Sequence, residues 1–155
     1  EALAQVSPRV LDLSEILHRH GLAEVLRDAP GLKLKATYHD ACHLAHGQKV
    51  TAEPRALLAA IPGLELRPLT EADTCCGSAG IYNVQQPRRA RDLVERKMGF
   101  IEQTGAEIAV TGNPGCHAWI HQAATEHGGK IRVLHTAEVL EAAFIGALPP
   151  PSGSS

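Results

Sequence analysis

The chain lacks several features that would place it in a common functional class. None of its apolar runs approaches the roughly 20 residues that a membrane-spanning helix needs, and its first residues do not follow the pattern of a secretory signal peptide. Fifteen Lys and Arg against seventeen Asp and Glu leave a formal charge of −2, so the basic excess that nucleic-acid binding requires is missing. We therefore expect a cytoplasmic protein without a nucleic-acid partner. Peripheral association with the cytoplasmic face of the inner membrane stays open.

Nucleotide and flavin fingerprints are missing as well. No G-x-G-x-x-G motif stands between a predicted strand and a predicted helix, and "GQKVTAE" (Gly47–Glu53) has no Lys-Ser/Thr pair of a P-loop. We predict that this chain holds no complete active site and no catalytic residue of its own.

Four short β-rich runs alternate with helical patterns along the chain. The strands are predicted at Leu32–Tyr38, Leu64–Leu69, Glu107–Thr111 and Ile131–His135. Helices are predicted between and after them, among them Pro87–Thr104, His117–His127, and Ala137–Phe144 with Thr136 as its N-cap. This order predicts an α/β fold, with a small parallel sheet of about four strands flanked by helices.

Cysteine is scarce, and each of the four cysteines follows a predicted strand. Cys42 comes after the first strand, Cys75 and Cys76 come after the second, and Cys116 comes after the third. Ligands of such sheets bind beyond the carboxyl ends of the strands, which meet at one edge. We therefore expect the four thiols to converge at the C-terminal ends of the strands.

Four thiols at one edge predict a metal centre, because structural disulfides are rare in the cytoplasm. Thiolates hold iron–sulfur clusters, usually four to a cluster, and tetrahedral zinc takes the same number of sulfur or nitrogen donors. The Cys-x32-Cys-Cys-x39-Cys spacing matches neither zinc-finger pairs nor the ferredoxin run. The adjacent pair favours a larger inorganic core, because two neighbouring sulfurs on one zinc ion would close a cramped ring. Structural zinc, a vicinal disulfide or redox-active thiol pair, and buried apolar cysteines remain the alternatives.

Residues beside the cysteines are candidate supports for this centre. Gly77 and Gly80 of "CCGSAG" let the backbone approach the centre and present N–H donors. Three histidines surround Cys42 in "YHDACHLAHGQ" (Tyr38–Gln48). Of these, His43 is adjacent to the cysteine. We predict that it hydrogen-bonds to the centre rather than binding it, although imidazole can bind zinc and iron.

Several segments resemble the cysteine-rich CCG domain, and more narrowly its second copy in the iron–sulfur subunit of glycolate oxidase. "CCGSAGIYN" and "NPGC" carry the resemblance most specifically, and it extends over about Val10–Ala143. It implies that the metal ligands are Cys42, Cys75, Cys76 and Cys116. The family pattern ends in Cys-x-x-Cys, and Asn113 stands in place of the first of these cysteines. Four ligands suit a single [4Fe–4S] cluster or one zinc ion, with Asn113 supporting the centre.

The resemblance also implies a larger assembly. We expect residues 1–148 to form a single CCG domain, as a fragment of a longer subunit with a ferredoxin-like domain and a first CCG copy. Residues 149–155 are expected to be a disordered tail or a cloning remnant. The intact subunit would relay electrons from flavin-containing glycolate oxidase subunits towards the quinone pool. This domain would be a non-catalytic electron-transfer part.

Overall fold

The computed structural model describes residues 10–150, and in them four parallel strands form one sheet in the order β2-β1-β3-β4. The strands are β1 (Leu34–His39), β2 (Leu64–Arg67), β3 (Ile108–Thr111) and β4 (Arg132–His135). His39 pairs with Thr111, and Thr111 pairs with His135. Because these are the last residues of their strands, β1, β3 and β4 end at the same level.

Helices cover both faces of the sheet. They are α1 (Leu13–Arg19), α2 (Leu22–Leu26), a π-helical turn (His43–Gln48), α3 (Ala52–Ala59), α4 (Tyr82–Gln85), α5 (Pro87–Gln103), α6 (Pro114–Glu126) and α7 (Thr136–Ile145). The predicted α/β class, with a parallel sheet of four strands flanked by helices, is confirmed. The short helices α2 and α4 and the π-helical turn were not predicted, because segments of this length have too few residues to show a helical period.

Each face of the sheet has its own apolar core. On one face, Leu26 of α2 and Leu57 of α3 pack with Val139 of α7. On the other, Met98 of α5 packs with Ile120 of α6, and Cys76 and Cys116 belong to this second core. Burying a side chain of this size contributes about 1.5–3 kcal/mol. The helix that delivers Cys116 is therefore held to the sheet by the same core that surrounds the thiols.

The cap of α7 differs from the prediction. Thr136 is the first helical residue, and the capping residue is His135, whose Nδ1 accepts a hydrogen bond from the Ala137 N–H at 3.2 Å. The Glu138 carboxylate accepts one from the His135 N–H at 2.6 Å. The expectation of a threonine cap was wrong because an imidazole nitrogen takes the place of the usual side-chain oxygen.

The predicted tail falls partly outside the described residues. Within them, the Pro149 carbonyl accepts a hydrogen bond from Arg132 at 2.5 Å; residues 151–155 lie beyond them, so the boundary at residue 148 stays a prediction. Across residues 10–150, every helix is too short or too polar to cross a lipid bilayer.

Candidate metal centre

Three segments that are distant in sequence meet beyond the carboxyl ends of β1 and β3. Cys42 precedes the π-helical turn after β1, Cys75 and Cys76 lie between β2 and α4, and Cys116 lies in the first turn of α6. A cleft of about 320 Å³ is lined by three of the cysteines and their neighbours: Cys42, His43, Cys75, Ser78, Ala79, Gly80, Asn113 and Cys116. The fourth cysteine, Cys76, is fully buried beside Ser78. The thiols therefore converge at the edge where they were expected.

Strand alternation brings His39 to the same side of the sheet as the thiols. Tyr38 belongs to the core beneath α3 and α7, so the following residue faces α5 and α6. His39 is 1% exposed. One of its ring nitrogens and the Sγ atoms of Cys76 and Cys116 all lie within 4.8 Å of one another. These three residues form a compact buried group of one nitrogen and two sulfur donors.

The other two thiols, Cys42 and Cys75, are half-buried and more accessible from the cleft. Burial raises the pKa of Cys42, and the neighbouring Cys75 raises it further. Cys75 Sγ accepts a hydrogen bond from the Gly77 N–H at 3.3 Å. The four sulfur donors thus divide into a buried pair and a pair nearer solvent.

Hydrogen bonds shift the pKa values of the two buried thiols, Cys76 and Cys116, in opposite directions. A hydrogen bond from Cys116 lowers the pKa of Cys76, and the same contact raises the pKa of Cys116. Ser78 Oγ lies between them, 3.3 Å from Cys76 Sγ and 3.8 Å from Cys116 Sγ. The site favours a thiolate within the pair, and metal binding requires thiolates.

Buried polar contacts hold the loop of the cysteine pair in place. The Asp40 N–H donates to the Ala72 carbonyl at 3.0 Å. Lys97 reaches across from α5, is 2% exposed, and donates to the Glu71 carbonyl and, at 3.0 Å, to Thr74 Oγ1. Desolvation lowers the pKa of Lys97, and negative charge at Cys76 opposes that shift. The lysine therefore anchors the loop and places a cationic group near Cys76.

Two of the predicted supporting residues have clear structural roles. Gly77 has φ of 95°, and a Cβ added to it would lie 2.6 Å from the Ala90 carbonyl oxygen, so glycine lets the loop contact α5 directly. Asn113 Oδ1 accepts a hydrogen bond from the Cys116 N–H at 3.0 Å and caps α6. Because of this cap, α6 begins at Pro114, earlier than the predicted start at His117. Cys116 is thereby fixed within its first turn.

The remaining two, Gly80 and His43, both line the cleft. Gly80 has φ of 53° with no heavy atom near its would-be Cβ, so its role is conformational. His43 is exposed. Neither residue lies in the buried group around Cys76.

Neither His39 nor Lys97 was predicted to belong to the site, and Lys97 was expected on a solvated helix face that its burial rules out. For His39 a signal was available, because it follows the apolar Tyr38 at the end of a predicted strand and so belongs to the opposite face. For Lys97 there was none, since a lysine on a helix is almost always exposed.

The donors and polar groups at this edge fit a bound metal group. Four thiols and one imidazole are soft or borderline ligands that suit iron and zinc. Both ring nitrogens of His39 are buried and neither makes a hydrogen bond of normal geometry, a situation that a bound group would relieve at one of them. Cys42, Cys75, Cys76 and Cys116 are all free thiols. Their role as ligands stays a prediction.

Comparison with known families assigns the domain. Residues 36–121 match the model of the CCG family, described as a cysteine-rich domain. The chain belongs to the CCG family. The matched region includes all four cysteines, His39 and the supporting residues discussed above.

Curated relatives of this CCG domain include an oxidase subunit, a reductase subunit and a lactate utilization protein. A probable glycolate oxidase iron–sulfur subunit of Bacillus subtilis is 41% identical over 106 residues, 67% of this chain and 24% of the relative. Lactate utilization protein A of Shouchella clausii is 40% identical over 106 residues, 68% and 44% of the two chains. A fumarate reductase (CoM/CoB) subunit of Methanothermobacter marburgensis is 34% identical over 140 residues, 90% and 28%. The chain thus spans between about a quarter and under a half of these relatives.

Proposed function

We propose that this CCG domain binds an iron–sulfur cluster through Cys42, Cys75, Cys76 and Cys116 and serves as an electron-transfer module of an oxidoreductase subunit. The observation that carries the proposal is the meeting of four free thiols from three distant segments at one sheet edge. Two relatives are named as an iron–sulfur subunit and a reductase subunit, and these names support the same interpretation.

A bound cluster would supply a group that takes up and releases single electrons. The chain would set how readily it does so. The Gly77 N–H and the Ser78 hydroxyl lie within hydrogen-bonding distance of cysteine sulfurs, and such hydrogen bonds stabilise the more negative, reduced state. The Lys97 ammonium group near Cys76 acts in the same direction. Burial of Cys76 keeps water from one side, while the cleft beside Cys42 leaves the other side open to a partner.

Anaerobic reconstitution with iron and sulfide tests this proposal. We expect about four irons and four sulfides per chain with broad visible absorbance. Cys116→Ser should lose most of this iron, whereas Ala79→Ser adds a hydroxyl to the same loop, keeps every thiol and should retain it. Fewer than about two irons per chain, without visible absorbance, would contradict the proposal.

The finer assignment concerns cluster type and partners. We propose a single [4Fe–4S] cluster, because the chain has four cysteines and Asn113 where the family pattern has a fifth. The intact subunit would act in the oxidation of glycolate or a related 2-hydroxy acid such as lactate. Electrons would pass from flavin-containing subunits through this domain towards membrane quinone, at the cytoplasmic face. Co-purification with a flavin-containing partner and reduction of the cluster on adding the hydroxy acid would test this assignment.

A structural zinc site is the second candidate function. It is favoured by the compact group of His39, Cys76 and Cys116, whose donor atoms lie within 4.8 Å of one another, because tetrahedral zinc takes mixed nitrogen and sulfur donors. The domain would then serve to dock subunits rather than to transfer electrons. Stoichiometric zinc in colourless protein purified without added metal would favour this alternative, and its absence would exclude it.

A further inference from the structure

His39 differs from His117 and His135, two half-buried histidines. The Nε2 atom of His117 lies 3.0 Å from the Val133 carbonyl oxygen, and that of His135 lies 3.0 Å from the Gly112 carbonyl oxygen. Both ring nitrogens of His39 are buried and neither makes a hydrogen bond of normal geometry; the polar group beside the ring is the Cys76 sulfur, whose pKa the imidazole also lowers. Because buried polar groups are nearly always satisfied, a buried imidazole without such a hydrogen bond needs an explanation. A ligand that binds one nitrogen would provide it.

The surroundings of His39 indicate what such a ligand is. One ring nitrogen lies within 4.8 Å of both Cys76 Sγ and Cys116 Sγ. With metal–sulfur bonds of about 2.3 Å and metal–nitrogen bonds of about 2.0 Å, tetrahedral donors lie roughly 3.5–3.8 Å apart. Small side-chain rotations close the remaining difference. The nitrogen therefore lies where a donor to a metal held by these sulfurs would lie.

The position of His39 in the fold gives it a fixed backbone and a buried ring. It is the last residue of β1, paired with Thr111 of β3, so its backbone is fixed by the sheet. Its ring is buried on the face that holds Cys76 and Cys116. His43, in contrast, is exposed beside the cleft. Of these two histidines, His39 has the rigidity and burial typical of a ligand.

We propose that His39 binds the metal centre through one ring nitrogen, beside Cys76 and Cys116, in place of one of the two half-buried thiols, Cys42 or Cys75. The donor set is then one nitrogen and three sulfurs, one donor for each iron of a four-iron cluster. This inference rests on the proposed function for the presence of a metal and changes one of the four ligands proposed there. Imidazole is neutral where thiolate is anionic, and histidine ligation raises the potential of iron–sulfur centres. His39 would thereby make the centre easier to reduce than one held by thiolates alone.

Nitrogen hyperfine spectroscopy tests the bond directly. The chain is produced with ¹⁵N-labelled histidine, reconstituted with iron and sulfide, reduced, and examined by pulsed EPR. We expect the strong ¹⁵N coupling of a directly bound imidazole. The coupling should disappear in His39→Gln and persist in the matched control His43→Gln. In His39→Cys, which exchanges nitrogen for sulfur, the coupling should also disappear and the midpoint potential should fall.

Cobalt(II) added alone to the reduced, metal-free protein tests the same ligand without a cluster. We expect His39→Gln to weaken cobalt binding by about 100-fold or more, beyond the loss typical for residues that only orient a ligand. Its visible spectrum should change as well. Circular dichroism checks that each variant folds, and His39→Cys replaces His39→Gln if the latter does not.

The outcomes separate the two proposals. A cluster without strong ¹⁵N coupling, or with coupling that survives removal of His39, overturns the inference about His39 and leaves the proposed function standing. Cobalt binding that depends on His39, in a protein that assembles no cluster, contradicts the proposed function and supports His39 as a ligand. Cobalt binding indifferent to both His39 variants overturns the inference.

Discussion

Replacing Gly77 with alanine measures how closely the loop of the cysteine pair is held against α5. The new Cβ would lie 2.6 Å from the Ala90 carbonyl oxygen and 3.1 Å from Ala90 Cα. Both are backbone atoms of the first turn of α5 and cannot rotate away, so the loop must move. The φ of 95° also lies outside the left-handed region, about +50° to +70°, that alanine can adopt.

Gly80 provides the matched control for this perturbation. It also has a positive φ, 53°, but no heavy atom lies within 4 Å of an added Cβ. Gly80→Ala should therefore lower the free energy of unfolding only through backbone strain, by about 1 kcal/mol. Gly77→Ala adds the cost of overpacking against α5, so its free energy of unfolding should fall by about 3 kcal/mol. For a chain of this length these values correspond to decreases in Tm of about 2–4 °C and 6–12 °C.

Urea unfolding of the reduced, metal-free proteins, followed by circular dichroism, measures both free energies. Iron content after reconstitution shows whether the displaced loop still assembles the site, and we expect Gly77→Ala to retain less iron than Gly80→Ala. Equal free energies of unfolding for the two variants, within about 0.5 kcal/mol, would refute the close approach of the loop to α5.

Three further changes test other contacts. Asp40→Asn should lower the free energy of unfolding by about 2 kcal/mol, because both Asp40 oxygens accept hydrogen bonds from the Arg55 guanidinium at 2.6 Å; urea unfolding measures it, and a change below about 0.5 kcal/mol would contradict it. Lys97→Met should cost about 1–3 kcal/mol and speed loss of metal to a chelator, since it removes the donor to the Glu71 carbonyl; unchanged stability and release would argue against this anchor. Burial raises the pKa of Tyr38 above the value near 10 of an unfolded tyrosine. The contribution of Tyr38 to the free energy of unfolding is therefore complete below pH 10 and falls by up to about 1.4 kcal/mol per pH unit above it. Tyr38→Phe should remove that part of the slope in unfolding measured from pH 9 to 11, and an unchanged slope would contradict the assignment.

The fold class and the meeting of the thiols could be predicted because both follow from local patterns and one general rule. Short β-rich runs separated by helical segments predict a parallel sheet, and the carboxyl ends of parallel strands share an edge. Cys42, Cys75 and Cys116 each follow a strand, so their convergence needed only correct strand positions. The predicted strands deviate from β1–β4 by at most two residues at either end, too little to move a cysteine to another edge.

The particular groups around the thiols could not be predicted in this way. His39 precedes Cys42 by three residues and His43 follows it directly, yet packing against α5 and α6 buries the more distant histidine and leaves the adjacent one exposed. Lys97 lies on a helix with several exposed charged residues, and its burial follows from where the loop at Glu71 crosses that helix.

Sequence alone determined the architecture and the edge at which chemistry is possible, because periodicity and chain order are local properties. Tertiary structure decided which side chains surround the buried sulfurs. That choice depends on contacts between segments far apart in the chain, whose energies no single segment encodes.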